Sequence, residues 1–194
     1  MLSIAVLYHS GYGHTKRLAQ AVVSGAQEAA EALRVVEVEI AQDGELSAEQ
    51  WQSLDDAAAI IFGSPTYMGS VSWQFKKVAD ASSGRWLMQS WKDKLAAGFT
   101  NSASMNGDKA STLAYMNTFA MQHSMLWVGS GLLAANTKAA QRNDINYLGA
   151  FAGLMAQSPA DASVDEGPLP GDMATAKLFA ARVVEQCLRL QGVR

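Results

Sequence analysis

Three short segments carry most of the side chains and glycines that could bind a polar ligand. They are Ser10–Thr15 (SGYGHT), Ser64–Ser70 (SPTYMGS) and Asn101–Asp108 (NSASMNGD). Hydroxyl and amide groups of this kind donate hydrogen bonds to anionic or carbonyl oxygens. Each segment follows an apolar run typical of a buried strand, and parallel strands end at a common edge of their sheet. We therefore expect the three segments to form one ligand site.

The first segment combines two glycines with the start of a predicted helix. Leu18, Val22 and Ala26 recur after it at helical spacing. Backbone N–H groups at the start of a helix lack internal partners, and the helix dipole favours an anion there. Gly11 and Gly13 permit backbone torsions that other residues resist. The segment predicts a phosphate site, although an ordinary strand-to-helix turn explains it almost as well.

The second and third segments suit a flat ring with a polar edge. We expect Tyr67 and Met68 to pack against such a ring and Gly69 to let the backbone approach it. Asn101–Asp108 could donate hydrogen bonds to the polar edge of the ring. The alternatives are a plain loop with a buried tyrosine for the second segment and a flexible surface turn for the third.

Apolar runs alternate with helical patterns along most of the chain. The expected strands are 4–8, 35–40, 57–62, 95–100 and 125–128. The expected helices are the one that follows Thr15, then 45–54 with Ser47 as its N-cap, 71–81, 109–122 and 172–190. This alternation predicts an α/β fold, in which helices cover both faces of a parallel sheet, and a single domain over residues 1–194.

Residues 129–170 show weak periodicity, with strand character resuming at 147–155. A structureless connection of this length is uncommon in a compact domain. We expect the segment to form either a substrate lid or a subunit contact.

The composition of the chain argues against several classes of function. Its 194 residues carry a formal net charge of −3, which argues against a nucleic-acid partner. Cys187 is the single cysteine, so neither an internal disulfide nor a cysteine zinc site can form, and the three histidines lack metal-binding spacing. No apolar run reaches membrane-spanning length, and because residues 1–8 have no basic leader and only a short apolar run, we expect no signal peptide. We expect a cytoplasmic protein with no metal site and no membrane insertion.

Longer motifs around the three segments resemble one family over nearly the whole chain, the flavodoxin-like NAD(P)H:quinone oxidoreductases of the WrbA type. Ser10–Thr15 looks like the phosphate loop of this family, and residues 61–70 (IFGSPTYMGS) look like its flavin-ring loop. Residues 95–107 are similar to its strand and polar loop around the ring and ribityl chain. Residues 122–125 (QHSM) resemble a helix end at which the family places a histidine beside the flavin.

The resemblance implies a function as well as a fold. It implies an FMN-binding, doubly wound, five-stranded parallel sheet of order 2-1-3-4-5 with helices on both faces. It also implies hydride transfer from NAD(P)H to the flavin and electron transfer to a quinone, in a homo-oligomer (dimer or tetramer) whose flavin sites are completed across subunits. Carried over by position, the catalytic residue facing the substrate is His123. The implied cofactor-binding residues are Ser10, Gly11, Tyr12, Gly13, His14, Thr15, Pro65, Thr66, Tyr67, Met68, Gly69, Ser70, Asn101, Ser102, Ala103, Ser104 and Gly107.

Two departures from the family pattern keep other functions open. The best-known members carry Arg-Phe where this chain has Tyr67-Met68, and their third loop is richer in glycine. The main alternative is a flavodoxin-type electron carrier without its own substrate turnover, although a net charge of −3 is small for a carrier that docks to basic partners. The third possibility is a scaffold protein that has kept the fold and lost the flavin.

Overall fold

Strands and helices alternate through the computed structural model, which describes residues 2–30 and 33–192. The strands are β1 (Ser3–Tyr8), β2 (Arg34–Glu39), β3 (Ala59–Pro65), β4 (Leu95–Ser102), β5 (Leu126–Trp127) and β6 (Leu154–Gln157). The helices are α1 (His14–Ala29), α2 (Ala48–Asp56), α3 (Trp73–Ala81), α4 (Ser83–Leu87), α5 (Lys109–Gln122) and α6 (Pro170–Leu190). The α/β class predicted from the sequence is confirmed.

The strands form one parallel sheet in the order β2-β1-β3-β4-β5, with β6 paired to β4. This confirms the order expected from the family resemblance. Tyr8 at the end of β1 pairs with Gly63, and Pro65 at the end of β3 pairs with Asn101. The register therefore brings the carboxyl ends of β1, β3 and β4 together, where the three predicted ligand segments begin.

Two hydrophobic cores hold helices against the two faces of the sheet. Side chains alternate along β1, so Ile4 and Val6 pack with α1 and α6 on one face. Ala5 and Leu7 pack with α2, α3 and α5 on the other face. Because both faces are buried, β1 has the uninterrupted apolar sequence that the strand prediction used.

The fifth position of the sheet is divided between two short strands. β5 pairs with the first half of β4 at Leu95 and Ala96, whereas β6 pairs with the second half from Phe99 to Ser102. Residues 128–153 leave the sheet between them. The expected fifth strand is therefore present but interrupted, and β6 covers only the end of the expected strand character at 147–155.

The inserted residues 128–153 are fixed to the start of α6. The Arg142 guanidinium donates two hydrogen bonds to the Asp172 carboxylate, at 2.8 and 2.6 Å. The Asn146 side chain donates to the carbonyls of Leu132 and Ala150, and its backbone N–H donates to the Thr175 hydroxyl. These contacts close the insertion on itself and dock it on α6.

Local boundaries follow the predicted signals with two exceptions. Ser47 caps α2, as expected, in a reciprocal pair of hydrogen bonds with Gln50. Ser64 and Pro65 lie in β3, and Asn101 and Ser102 lie in β4, although all four were assigned to loops from the sequence. Within residues 2–30 and 33–192, no helix is long and apolar enough to cross a bilayer.

Candidate functional site

A cavity of about 560 Å³ opens at the edge of the sheet where β1, β3 and β4 end. All three predicted segments contribute to its wall, together with a fourth segment that follows β6. The lining residues are Tyr12, His14, Thr15, Pro65, Thr66, Tyr67, Asn101, Ser102, Ala103, Ser158, Pro159, Ala160, Ala162, Ser163 and Val164. The three segments therefore line one cavity, and their use as a ligand site stays a prediction.

The first segment presents backbone donors that the protein does not use. The Ser10 hydroxyl accepts hydrogen bonds from the N–H groups of Gly13 and Lys16, both at 3.1 Å, and so folds the loop back on itself. Gly13 has φ +92°, a conformation that L side chains rarely adopt. Among the described residues, the N–H groups of Gly11, Tyr12, His14 and Thr15 have no acceptor. These donors mark the start of α1 as a place for an anion.

The segment after β6 is tied to the first turn of α1. We call residues 158–167 the cover segment. One ring nitrogen of His14 bonds the Gly167 carbonyl at 2.9 Å, and the Arg17 guanidinium donates to the Val164 carbonyl at 2.6 Å. Ser158 donates to the buried side-chain oxygen of Asn101 at 3.1 Å. The cover segment therefore forms one wall of the cavity and is fastened at both of its ends.

The second segment ends in a tight hairpin rather than a ring platform. Tyr67 and Ser70 exchange backbone hydrogen bonds across Met68 and Gly69, which both have positive φ. Met68 is fully exposed, and an added Cβ at Gly69 would meet nothing within 4 Å. Both residues form the outer turn of the hairpin and neither lines the cavity, so their contact with a ring stays a prediction.

Tyr67 is the member of the hairpin that reaches the cavity. Its ring meets the ring of Tyr12 edge-on, with 6.3 Å between centroids. A side chain at Gly11 would collide with the Tyr67 hydroxyl, so the close approach of the first and second segments requires glycine there. The two tyrosines form an aromatic rim at the mouth of the site.

Thr66 joins the second segment to the floor of the cavity. Its N–H donates to the Asn101 carbonyl at 2.9 Å. Its hydroxyl lies 2.8 Å from the hydroxyls of Thr100 and Thr112, which link β3, β4 and α5. The hydroxyl cluster fixes the spacing between the second and third segments.

The third segment turns its carbonyl groups inward. The ammonium group of Lys109 donates hydrogen bonds to the carbonyls of Ser104 and Met105, and the Gln157 side chain donates to the Ala103 carbonyl at 2.7 Å. In the described part of the chain, the N–H groups of residues 103–107 donate no hydrogen bond. The loop therefore keeps a second set of free donors, and its residue Ala103 lies on the cavity wall.

His123 contradicts the role expected from the family resemblance. It ends α5 at the opposite edge of the sheet and is 4% exposed. Its ring packs on Trp91, with 4.4 Å between centroids, and on Phe119, and its Nε2 bonds the Ser82 hydroxyl at 2.9 Å. Burial lowers its pKa to about 4, so the ring is neutral at pH 7. His123 is a core residue and does not face the cavity.

The remaining predicted residues divide between the cavity wall and its support. Tyr12, His14, Thr15, Pro65, Thr66, Tyr67, Asn101, Ser102 and Ala103 line the cavity. The lining does not include Ser10, Gly11, Gly13, Met68, Gly69, Ser70, Ser104 or Gly107. Ser10, Gly11 and Gly13 shape the first segment, and Gly107 packs against Ser102 with φ +54°.

Sequence reasoning missed the cover segment and Lys109. The cover segment follows β6, whose pairing with β4 continues the fifth strand position toward the ligand edge. Reading residues 154–157 as the second half of that strand would have predicted a fourth loop at the site. Lys109 carried a different signal, because a cation at the first position of a helix opposes the helix dipole.

The sequence of the chain matches one known protein family over most of its length. Residues 3–140 match the family described as NADPH-dependent FMN reductase, which is well over half of the sequence. The chain belongs to the NADPH-dependent FMN reductase family.

Individual relatives support this membership along the full length. The chain is 52% identical to the flavodoxin FldP of Pseudomonas aeruginosa, covering 94% of this chain and 95% of that protein. It is 33% identical to an NAD(P)H dehydrogenase (quinone) of Geotalea daltonii, covering 66% of this chain and 71% of that protein. A crystal structure of a WrbA-like flavodoxin from Agrobacterium tumefaciens has 43% identity and a TM-score of 0.76, covering 97% of this chain and 99% of that chain.

The cavity fits FMN, the cofactor of this FMN reductase family member. Its volume of about 560 Å³ lies within the usual range for a small-molecule site. Free N–H donors at the start of α1 suit a phosphate group, and those of residues 103–107 suit the carbonyl oxygens of a ring. The chain is therefore an FMN-binding oxidoreductase with a flavodoxin-like fold.

Proposed function

We propose that this chain is an NAD(P)H:quinone oxidoreductase that uses FMN. The observation that carries the proposal is the meeting of two sets of unused backbone donors at one cavity. The choice of donor and acceptor is supported by relatives from Geotalea daltonii and Geotalea uraniireducens, each of which is an NAD(P)H dehydrogenase (quinone).

The first segment is assigned to the phosphate group of FMN. Its N–H groups at Gly11, Tyr12, His14 and Thr15 lack partners among the described residues, and Thr15 lies in the first turn of α1 on the cavity wall. Hydrogen bonds to a charged oxygen contribute about 1.5–3 kcal/mol each, so several can hold a phosphate without a buried cation. His14 and Arg17 act through the cover segment, whose carbonyls they bind.

The second and third segments are assigned to the flavin ring. Pro65, Thr66 and Tyr67 form one side of the cavity, and Asn101, Ser102 and Ala103 form its floor. Bound FMN supplies the redox chemistry, because its ring accepts a hydride from NAD(P)H and returns two electrons to a quinone. The chain contributes by fixing the orientation of the ring and by aiming N–H dipoles at the edge where negative charge develops.

A turnover experiment tests the proposal. The protein is loaded with FMN, mixed with NADH or NADPH without oxygen, and then given a benzoquinone while flavin absorbance is followed. We expect bleaching with at least one nucleotide and recovery on adding the quinone, with many turnovers per flavin. If the bound flavin stays oxidised with both nucleotides, the chain is not this enzyme.

One observation favours a second candidate, an electron carrier of the flavodoxin type. The relative with 52% identity over nearly the whole chain is named a flavodoxin. A carrier accepts electrons from a protein reductase and does not turn over NAD(P)H by itself. The same experiment separates the two functions, because a carrier bleaches only when a flavodoxin reductase is added.

We also propose that the chain forms a homo-oligomer. Four large apolar side chains along α3, α4 and the residue after α4 are at least half exposed, which is many for one stretch of a monomer: Trp73, Trp86, Leu87 and Met88. Light scattering coupled to gel filtration tests this, and a monomer at micromolar concentration would contradict it.

The expected cytoplasmic location also remains a proposal. It is supported by Cys187, which is buried and unpaired, as thiols are in a reducing compartment. Cell fractionation tests it, and recovery in a periplasmic or secreted fraction would overturn it.

A further inference from the structure

Lys109 is the first residue of α5, and its side chain is completely buried behind the third segment. Its ammonium group donates three hydrogen bonds, to the Ser102 hydroxyl at 2.8 Å, the Ser104 carbonyl at 2.7 Å and the Met105 carbonyl at 2.9 Å. All three acceptors are uncharged. One buried cation therefore sets the conformation of the loop that begins at the cavity floor.

Within the described part of the chain, the hydrogen-bonding partners of the Lys109 ammonium group include no carboxylate. Among the described residues, no ion pair includes this ammonium group. The charged groups that face it are Asp172 on α6 and Arg142 in the insertion, and these form an ion pair with each other. Burial lowers the pKa of Lys109 to about 8, with Arg142 adding to the shift and Asp172 opposing it. The group is still mostly protonated at pH 7.

The position of Lys109 concentrates positive potential at the cavity. The start of α5 already carries the positive end of the helix dipole, and its N-cap residue Asp108 makes no side-chain capping bond. A cation is disfavoured at such a position, and burial disfavours it further. Its hydrogen-bonding partner Ser102 lines the cavity, so the charge acts on whatever occupies the site.

We propose that Lys109 is a positioning residue that holds residues 102–108 with their N–H groups toward the flavin and makes the site prefer reduced FMN over oxidised FMN. This inference rests on the proposed function of the cavity. A hydride carries two electrons and one proton, so the ring that accepts it gains one unit of negative charge. A fixed positive charge behind the loop stabilises that charge and leaves the oxidised ring less affected.

The test compares binding of the two redox forms. Dissociation constants are measured anaerobically for oxidised FMN and for dithionite-reduced FMN in the wild type, Lys109→Met, Lys109→Arg and Lys92→Met. Lys92 is exposed and serves as the control. We expect Lys109→Met to lower the preference for reduced FMN about tenfold, the size of one partly screened charge at close range. Lys109→Arg and Lys92→Met should keep the preference within about twofold of the wild type.

The outcomes separate this inference from the proposed function. If the wild type binds neither form of FMN, the proposed function fails. If the wild type binds both forms and Lys109→Met weakens them equally, the lysine only supports the loop and the inference is overturned.

A pH titration decides the case in which Lys109→Met does not fold. The preference of the wild type for reduced FMN should fall as pH rises through about 8, where Lys109 loses its proton. In Lys109→Arg it should stay level over the same range, because arginine keeps its charge. A level profile in the wild type would overturn the inference.

Discussion

Four of the helices that begin at the ligand edge of the sheet, α1, α2, α3 and α5, begin in two different ways. α2 and α3 have side-chain N-caps, because the hydroxyls of Ser47 and Ser72 accept hydrogen bonds from first-turn N–H groups. α1 and α5 have Gly13 and Asp108 at the same position with no side-chain capping bond, and neither has an acid in its first turn. The starts of α1 and α5 therefore keep first-turn N–H groups that the N-cap side chain does not bind, whereas α2 and α3 do not.

The largest expected effect is on the pH dependence of stability and comes from His123, at the C-terminal end of α5. This end is buried, whereas the start of α5 has no side-chain capping bond. His123 has a folded-state pKa of about 4, below the 6.5 of an ordinary histidine, because it is buried. Between pH 6.5 and 4 the unfolded chain therefore takes up a proton that the folded chain refuses, and stability falls as pH falls. The contribution reaches about 3 kcal/mol at pH 4. In urea denaturation, the free energy of unfolding should fall less between pH 6.5 and 4 in His123→Gln than in the wild type, because glutamine does not titrate. The same pH dependence in both proteins would mean that His123 is exposed to solvent.

A carboxylate in the first turn of α1 should weaken FMN binding at the start of that helix. In His14→Asp, the new charge lies where the FMN phosphate is assigned, so we expect FMN affinity to fall about a hundredfold. The neutral control is His14→Asn, which also loses the ring contact to Gly167. Without FMN, His14→Asp should be the more stable of the two variants by about 0.5 kcal/mol, since an acid favours a helix start. FMN affinities are measured by fluorescence quenching. Equal affinities for the two variants would show that the FMN phosphate does not bind at this turn.

Removing the hydroxyl that folds the first segment should have an intermediate effect. Ser10→Ala leaves the N–H groups of Gly13 and Lys16 without their acceptor and loosens the loop. We expect FMN affinity to fall about tenfold, the equivalent of one to two hydrogen bonds. Ser24→Ala on the same helix removes a contact with Glu28 at the surface and should leave affinity unchanged. A loss of the same size in both variants would mean that α1 is weakened as a whole.

The smallest expected effect on FMN binding comes from removing the side-chain N-cap of α2. Ser47→Ala removes the capping box of α2 and should lower the free energy of unfolding by about 1 kcal/mol. FMN affinity should stay within twofold of the wild type, because α2 contributes no residue to the cavity wall. A larger change in affinity than in stability would show that α2 also serves the ligand.

The sequence predicted the elements that depend on local or strictly periodic signals. Ile4 and Leu7 sit in a run that only a strand buried on both faces explains, and Ser47 with Gln50 forms a capping box that depends on four consecutive residues. The convergence of the three segments also followed from topology alone, because parallel strands end together.

The parts that could not be predicted depend on contacts between distant residues. The interruption between β5 and β6 is stabilised by Arg142 and Asp172, which lie 30 positions apart, and no local pattern reports such a pair. His123 resembled a family residue in sequence, but its position is set by packing on Trp91. The position of Met68 and Gly69 relative to the cavity could not be predicted. Their positive φ angles define a turn, but they do not determine the direction in which the hairpin extends.

The central claim is that the unpaired N–H groups of the first and third segments bind the same FMN molecule. A crystal structure of the protein grown with FMN tests this most directly. We expect phosphate oxygens to accept hydrogen bonds from N–H groups between Gly11 and Thr15, and the polar edge of the ring to accept them from residues 103–107. FMN bound elsewhere, or a cavity in which these N–H groups are paired within the chain, would contradict the account.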